Sequence, residues 1–106
     1  MSMGDMRNMK DKGNVRDMSD QEMIQCLKVM ADPIRYAILN MLQERPAHSY
    51  EFLEGLSITQ PTLSHHMKVL RESGLVTVTQ EPRWKTYALN EIKFGLFLRQ
   101  LESLLK

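Results

Sequence analysis

The sequence contains one cysteine, Cys26, in 106 residues, and it has no long hydrophobic run. A single cysteine cannot form an intrachain disulfide, so we expect a protein of the cytoplasm and not a secreted one. No apolar segment approaches the roughly 20 residues that a membrane-spanning helix requires, and the first residues lack the apolar centre of a signal peptide. We therefore expect a cytoplasmic chain that has no membrane partner.

Neither sign of charge dominates. The chain has 14 lysines and arginines against 13 acidic residues, a formal net charge of +1. This balance argues against binding to a polyanion by bulk charge, but it is compatible with a local basic surface. The proportions of hydrophobic residues, 42%, and charged residues, 25%, are typical of a globular protein. The length predicts one domain with a small core, which a partner subunit can complete.

Residues 1–18 form a segment without a periodic apolar face, and methionines are scattered among its polar residues. This composition predicts a flexible N-terminal tail, followed by one folded domain over residues 19–106. Methionine thioethers can bind Cu(I), but a loose tail is the simpler interpretation of the segment. The methionines in question are Met1, Met3, Met6 and Met9.

Four helices are predicted by N-terminal capping residues that precede apolar residues at helical spacing. The predicted caps are Ser19, Asp32, Ser49 and Thr59. The first helix carries Ile24, Leu27 and Met30 on one face, and the third is short, over residues 50–56. Cys26 is interpreted as a small packed residue of the first helix. The fourth helix, residues 61–73, is expected to end at Gly74 in the left-handed conformation.

The period of the sequence changes after the fourth helix. The segments "VTVTQ" and "WKTYAL" are rich in β-branched and aromatic residues and are separated by "EPR", which predicts a β-hairpin. The last segment, "EIKFGLFLRQLESLLK", predicts a fifth helix with a wide apolar stripe. The fold class is therefore mainly α with a β-hairpin, in the order α-α-α-α-β-β-α. This is the order of a winged helix-turn-helix.

A polar face on the fourth helix is predicted to contact DNA. Because Leu63, Met67 and Leu70 point to the core, the opposite side presents short hydrogen-bonding groups near the helix N-terminus and a cation further along. Two more cations flank the turn of the hairpin, where a wing would follow the phosphate backbone. The predicted DNA-binding residues are Gln60, Thr62, Ser64, His65, Lys68, Arg83 and Lys85.

The same helix contains a serine beside two histidines, which raises the alternative of an enzyme. Neighbouring residues on a helix diverge by about 100°, so Ser64 and His65 do not face each other as a nucleophile and a base would. No acidic residue between Gln60 and Arg71 is present to orient an imidazole. We therefore predict no catalytic residue, and we interpret His66 as a packed, hydrogen-bonded histidine near the helix pair.

The apolar stripe of the last helix predicts a subunit interface. Burial of the last helix within the single chain is the alternative. On this helix the predicted interface residues are Phe97, Leu101, Leu104 and Leu105. If this surface instead docks a different protein, the domain would be a winged-helix interaction module with little DNA specificity.

Three segments together resemble the ArsR/SmtB family of bacterial winged-helix repressors: "LKVMADPIRYAILNML", "ITQPTLSHHMKVLRESGLV" and "RWKTYAL". The resemblance covers nearly two-thirds of the chain. It implies a homodimer built on the first and last helices, which adds Ile24 and Leu27 of the first helix to the predicted interface. The implied homodimer binds double-stranded DNA at an imperfect palindromic operator and is released by an inducer. The resemblance also implies that the recognition-helix residues are Gln60, Thr62, Ser64 and His65, with Arg83 and Lys85 in the wing.

The sequence departs from this family at the residues that bind metals. Members that sense arsenite or cadmium carry a Cys-x-Cys before the recognition helix, where this chain has "YEFLEGL", and zinc sensors place Asp and His ligands on the last helix, which has neither here. We therefore predict no cofactor and no familiar metal site, although a site between subunits that uses Cys26 or His48 stays open. Ser57 also stands where the family often has glycine, which predicts slight strain.

Overall fold

The computed structural model describes residues 17–105 of the chain. In the described part, five α-helices surround one small antiparallel sheet. The elements in chain order are α1 (Asp20–Met30), α2 (Pro33–Leu42), β1 (Ala47–His48), α3 (Ser49–Leu56), α4 (Gln60–Glu72), β2 (Val76–Gln80), β3 (Lys85–Leu89) and α5 (Glu91–Glu102), with a final 3₁₀ turn (Ser103–Leu105). The predicted class, mainly α with a β-hairpin, is confirmed. No helix within residues 17–105 is long and apolar enough to cross a membrane.

The helices α1 and α2 begin where the capping residues predict. The backbone N–H of Ser19 donates to the Glu22 carboxylate at 2.8 Å, and the N–H of Glu22 donates back to the Ser19 hydroxyl at 3.1 Å. One Asp32 carboxylate oxygen accepts from the N–H groups of Ile34 and Arg35, at 2.9 and 3.0 Å. These bonds satisfy backbone donors that the first turn of a helix leaves without partners.

The start of α3 differs from the prediction by one residue. The helix begins at Ser49 itself, and His48 is its N-cap, with its backbone N–H donating to the Glu51 carboxylate at 2.9 Å. Ala47 and His48 form a two-residue strand, β1, which pairs with β3 and gives a sheet of order β1-β3-β2. A strand of two residues is too short to show alternation in a sequence, so the third strand was not predicted.

The hairpin forms in the expected place, with a four-residue connection. In the turn, the N–H of Glu81 donates to the Trp84 carbonyl at 2.7 Å. β3 therefore starts at Lys85, so Trp84 belongs to the turn and not to the predicted strand. Val78 lies opposite Tyr87, whose side chain is buried in the core.

Two residues in the left-handed conformation set the ends of the helix-turn-helix. Ser57, between α3 and α4, has φ 53° and ψ 47°, as the departure from glycine at this position predicted. Gly74 follows α4 with φ 84°, which confirms the predicted C-terminal stop. A left-handed backbone costs a residue with a Cβ about 1–2 kcal/mol, so Ser57 is a strained position.

The core is formed by one face of each helix and the inner side of the sheet. The largest fully buried side chains are Phe52, Phe97, Ile38, Leu63, Met67, Leu70 and Leu75. On α1 the buried side chains are Met23, Cys26 and Val29, so Ile24 and Leu27 lie on a different, exposed face.

The folded domain begins earlier than predicted. Met18 is buried, and its backbone N–H and carbonyl both hydrogen-bond the Gln100 side chain, at 2.9 and 2.8 Å. These two bonds place the start of α1 beside the last turns of α5. Met18 therefore belongs to the domain, and the rest of the predicted tail, apart from Asp17, lies outside the described residues.

Candidate nucleic-acid interface

The helix α4 is held by one buried face, and its other sides are exposed. Leu63, Met67 and Leu70 are at most 1% exposed and anchor the helix to the core. The Thr59 hydroxyl accepts the N–H of Thr62 at 3.4 Å and donates to the Thr62 hydroxyl at 3.0 Å. This cap leaves the N-terminal end of α4 at the surface, where a helix terminus favours an anionic group such as phosphate.

Four of the five predicted DNA-binding residues on α4 are exposed. They are Gln60, Ser64, His65 and Lys68. The Gln60 amide donates to the Ser64 hydroxyl at 3.1 Å, so the two side chains form one polar pair on the first turns. Lys68 lies 3.9 Å from Glu72 in an exposed ion pair, which contributes little to stability.

Thr62 is the exception among these predicted residues. Its side chain is half-buried, and its hydroxyl is hydrogen-bonded within the helix cap. It is therefore less available to DNA than its neighbours on α4.

The hairpin brings two predicted cations to the same side of the molecule as the polar pair. Arg83 and Lys85 are exposed at the turn and at the start of β3. Together with Gln60 and Ser64 they line an open cleft of about 410 Å³ between α3, α4 and the hairpin. Between residues 57 and 87 the chain has four Lys and Arg against two Glu. The local charge is therefore positive although the whole chain is nearly neutral.

Two aromatic residues in this cleft were not predicted as site residues. Tyr50 on α3 is 54% exposed, and Trp84 in the turn is 42% exposed. The His48 ring lies between them, with its centroid 5.5 Å from Tyr50 and 5.0 Å from Trp84. The run "RWK" was the available signal, because an aromatic residue between two cations is a pattern suited to nucleic-acid contact.

On the other flank of α4, His66 is packed and hydrogen-bonded as predicted. Its side chain is 12% exposed, and its Nδ1 lies 3.0 Å from a terminal guanidinium nitrogen of Arg35. The Asp32 carboxylate lies 3.8 Å from the same Nδ1 of His66. Burial lowers the pKa of His66, the Asp32 charge opposes that shift, and the charges of Arg35 and His65 add to it. The lowered pKa favours the neutral form of the ring.

Cys26 and His48, the two residues considered for a metal site between subunits, have structural surroundings of their own. The Cys26 side chain is 1% exposed, and burial raises the pKa of its thiol. The Nδ1 of His48 lies 3.0 Å from the Thr86 hydroxyl. Within residues 17–105, no three His, Cys, Asp or Glu side chains are grouped as metal ligands would be.

The predicted interface residues divide into two groups. Ile24 and Leu27 are exposed on α1, and Leu104 and Leu105 at the end of the chain are 78% and 88% exposed. Leu98 on α5 is also exposed, Leu101 is half-buried, and Phe97 is a core residue with 1% exposure. Phe97 therefore packs within the single chain. We give the name α1/α5 apolar face to five exposed apolar residues of α1, α5 and the final 3₁₀ turn: Ile24, Leu27, Leu98, Leu104 and Leu105.

The arrangement of α3, the turn at Ser57, α4 and the hairpin is that of a winged helix-turn-helix, a class of DNA-binding domain. A model of the family described as "Bacterial regulatory protein, arsR family" matches residues 32–78. The arsenical resistance operon repressor of Staphylococcus xylosus is 41% identical over 73 residues, which are 69% of this chain and 70% of that protein.

Solved structures agree with these sequence matches. The transcriptional repressor BigR from Xylella fastidiosa superposes with a TM-score of 0.65 and is 30% identical, over 81% of this chain and 88% of that one. HlyU from Vibrio cholerae gives a TM-score of 0.66 at 32% identity, over 76% and 92% of the two chains. The chain belongs to the ArsR/SmtB family of winged-helix transcriptional repressors. It is a transcriptional regulator and not an enzyme.

Proposed function

We propose that this chain is a cytoplasmic, homodimeric repressor that binds an imperfect palindromic operator and is released by an inducer. The observation that carries the proposal is the exposed polar face of α4 beside the basic hairpin, in a chain of the ArsR/SmtB family. An α-helix fits into the major groove of B-DNA, which is about 12 Å wide. At 13 residues, α4 is roughly 20 Å long, which suits that position.

Within this interface the residues have different roles. The Gln60 amide has the donor and acceptor pair that matches an adenine edge, and its bond to Ser64 orients it. Ser64 and His65 are placed to contact bases or phosphates, and Lys68 to contact the backbone. Arg83 and Lys85 bind backbone phosphates from the wing. Thr62 acts through the cap of α4.

Dimerisation uses the α1/α5 apolar face. Two recognition helices must be linked so that they enter successive major grooves, about 34 Å apart. The bonds between Met18 and Gln100 hold the start of α1 beside α5, so exposed residues of both helices are available to one partner. The second copy buries side chains that are otherwise left in water.

The inducer of this repressor is proposed to differ from the metals sensed at the familiar sites of the family. The segment 50–56 contains no cysteine, and α5 contains no Asp or His. The surroundings of Cys26 and His48 further support this proposal, because a buried protonated thiol and a hydrogen-bonded imidazole are poor starting points for a metal site.

Two substitutions test the assigned roles on a duplex selected from a random pool. Gln60→Ala should reduce binding to the selected duplex by roughly 10-fold or more and leave binding to scrambled DNA nearly unchanged, because base contacts carry specificity. Lys85→Ala should weaken both about equally and flatten the salt dependence.

Gln43→Ala, at an exposed glutamine after α2, is the matched control and should bind as the parent does. Equal losses on both duplexes for Gln60→Ala would contradict the base-reading role. If the parent itself binds both duplexes weakly and independently of salt, the domain is an interaction module for another protein.

A further inference from the structure

Arg35 connects three helices at the rear of α4. Its Nε donates to the Val29 carbonyl in the last turn of α1 at 2.7 Å, and its backbone N–H donates to the Asp32 cap of α2 at 3.0 Å. Its terminal nitrogen lies 3.0 Å from His66 Nδ1 on α4. One side chain therefore joins the end of α1 and the flank of the recognition helix.

The contact between Arg35 and His66 defines the state of the imidazole. A guanidinium group only donates hydrogen bonds, so Nδ1 of His66 accepts and carries no proton. The neutral ring then has its proton on Nε2. A proton added to Nδ1 removes this hydrogen bond and leaves two cations in contact.

Because of the position of His66 along α4, its contact with Arg35 affects how the DNA-facing side of the helix is oriented. His66 follows Ser64 by two residues, so the two side chains lie on opposite flanks of the helix, about 160° apart. Side-chain tips lie about 6 Å from the helix axis, so a rotation of only 10° moves them by ~1 Å. A hydrogen bond of Gln60 to a base edge does not tolerate a much larger displacement.

We propose that Arg35 and His66 are positioning residues for operator recognition: their hydrogen bond fixes the rotation of α4, and protonation of His66 breaks it, so that operator binding weakens in mild acid. This inference rests on the proposed function, since it concerns how the same interface is oriented. The two residues act through Gln60 and Ser64 and do not themselves touch DNA.

The direction of the pH dependence follows from the groups around His66. Burial lowers the pKa of His66; Asp32 on α2 opposes this, while Arg35 on α2 and His65 on α4 add to it. The group that α1 contributes to the network is the Val29 carbonyl, which carries no charge. Because the folded pKa lies below the unfolded value of about 6.5, the contribution of neutral His66 is complete above that pH. It is lost as the pH falls through the folded value.

The test compares variants of His66 in a His65→Asn background, so that His66 is the one histidine on α4. His66→Asn places an amide oxygen near the position of Nδ1 and cannot titrate. His66→Leu has no acceptor. Affinity for the selected duplex and for scrambled DNA is measured from pH 5.5 to 8, and thermal denaturation verifies that each variant is folded.

The parent of this series, which carries His65→Asn alone, should lose affinity for the selected duplex several-fold from pH 7.5 to 5.5. His66→Asn should bind this duplex well, and its affinity should depend less on pH. At pH 7.5, His66→Leu should lose about 10-fold on the selected duplex and little on scrambled DNA, on the scale of one hydrogen bond to a charged group. In imidazole ¹⁵N spectra of the parent, His66 should show an unprotonated Nδ1 at neutral pH.

Three results would overturn the inference while the proposed function stands. Either the parent prefers the selected duplex and His66→Leu binds as the parent does, or His66→Leu loses affinity equally for both duplexes. The third such result is a pH dependence of binding that is undiminished in His66→Asn. The last result decides the matter even if His66→Leu does not fold. A parent without any preferred duplex would instead overturn the proposed function, and this inference with it.

Discussion

A negative charge at Leu98 is expected to separate the dimer. In the α1/α5 apolar face, the exposed fractions of the five side chains add up to roughly three whole aliphatic side chains per subunit. At about 2 kcal/mol for each such side chain, a dimer that buries this face on both subunits gains up to ~12 kcal/mol before costs. Association itself costs an estimated ~4–15 kcal/mol, so the net free energy of dimerisation is small.

The substitution Leu98→Glu acts twice in a symmetric dimer. Each copy loses ~1 kcal/mol of apolar burial, because Leu98 is about half exposed in the single chain. Each copy also brings a carboxylate towards an apolar surface, which costs further free energy unless the charge reaches water. A total of at least ~3 kcal/mol raises the dimer dissociation constant about 100-fold or more, since 1.4 kcal/mol is a factor of ten.

Sedimentation equilibrium over a range of protein concentrations measures this dissociation constant. Tyr36→Glu is the control, because it places the same charge on an exposed apolar residue of α2, outside the face. Leu98→Glu should be monomeric at concentrations where the parent and the control are dimers, and it should bind the selected duplex more weakly. A Leu98→Glu dimer of unchanged strength, or a control that dissociates equally, would refute the assignment of this surface.

Three further predictions concern stability and reactivity. Ser57→Gly removes the strain of a left-handed backbone, ~1–2 kcal/mol, but it also stabilises the unfolded state by ~0.4–1 kcal/mol of conformational entropy. Chemical denaturation should therefore show a free energy of unfolding that is higher by about 0.5–1 kcal/mol. A less stable variant would contradict the strain at Ser57. Asp32→Ala removes an N-cap and should cost ~1 kcal/mol at pH 7. Hydrogen bonding from the Arg35 N–H lowers the pKa of Asp32, so the stability that its carboxylate contributes is present above about pH 4 and is lost as the pH falls further. The difference in free energy of unfolding between the parent and Asp32→Ala should therefore become smaller in acid. A difference that does not change with pH would contradict this role of the carboxylate. Cys26 should react with a disulfide reagent far more slowly in the native protein than in urea, because burial raises the pKa of its thiol; equal rates would show that the residue is accessible.

Local signals in the sequence were sufficient for most of the fold. The caps at Ser19, Asp32 and Thr59 were predicted because each acts within three residues along the chain. The same holds for the stop at Gly74. Strand β1 was missed because its two residues are recognisable only through their pairing with β3, about 40 residues later.

Tertiary contacts account for what the sequence did not show about the site. His66 was predicted to be packed, but its partner Arg35 is 31 residues away. The cleft that brings Tyr50 and Trp84 beside Gln60 exists only once the hairpin folds against α3 and α4.

Sequence-specific DNA binding is tested by fluorescence anisotropy with the selected duplex and its scrambled counterpart, across a series of salt concentrations. We expect one dimer per duplex and a preference for the selected sequence of at least about 1,000-fold at physiological salt. The affinity should fall steeply as the salt concentration rises, because the release of counterions on binding then becomes less favourable. Equal affinity for both duplexes would contradict sequence-specific repression. Binding that does not change with salt would show that the basic hairpin and the α4 face do not contact DNA.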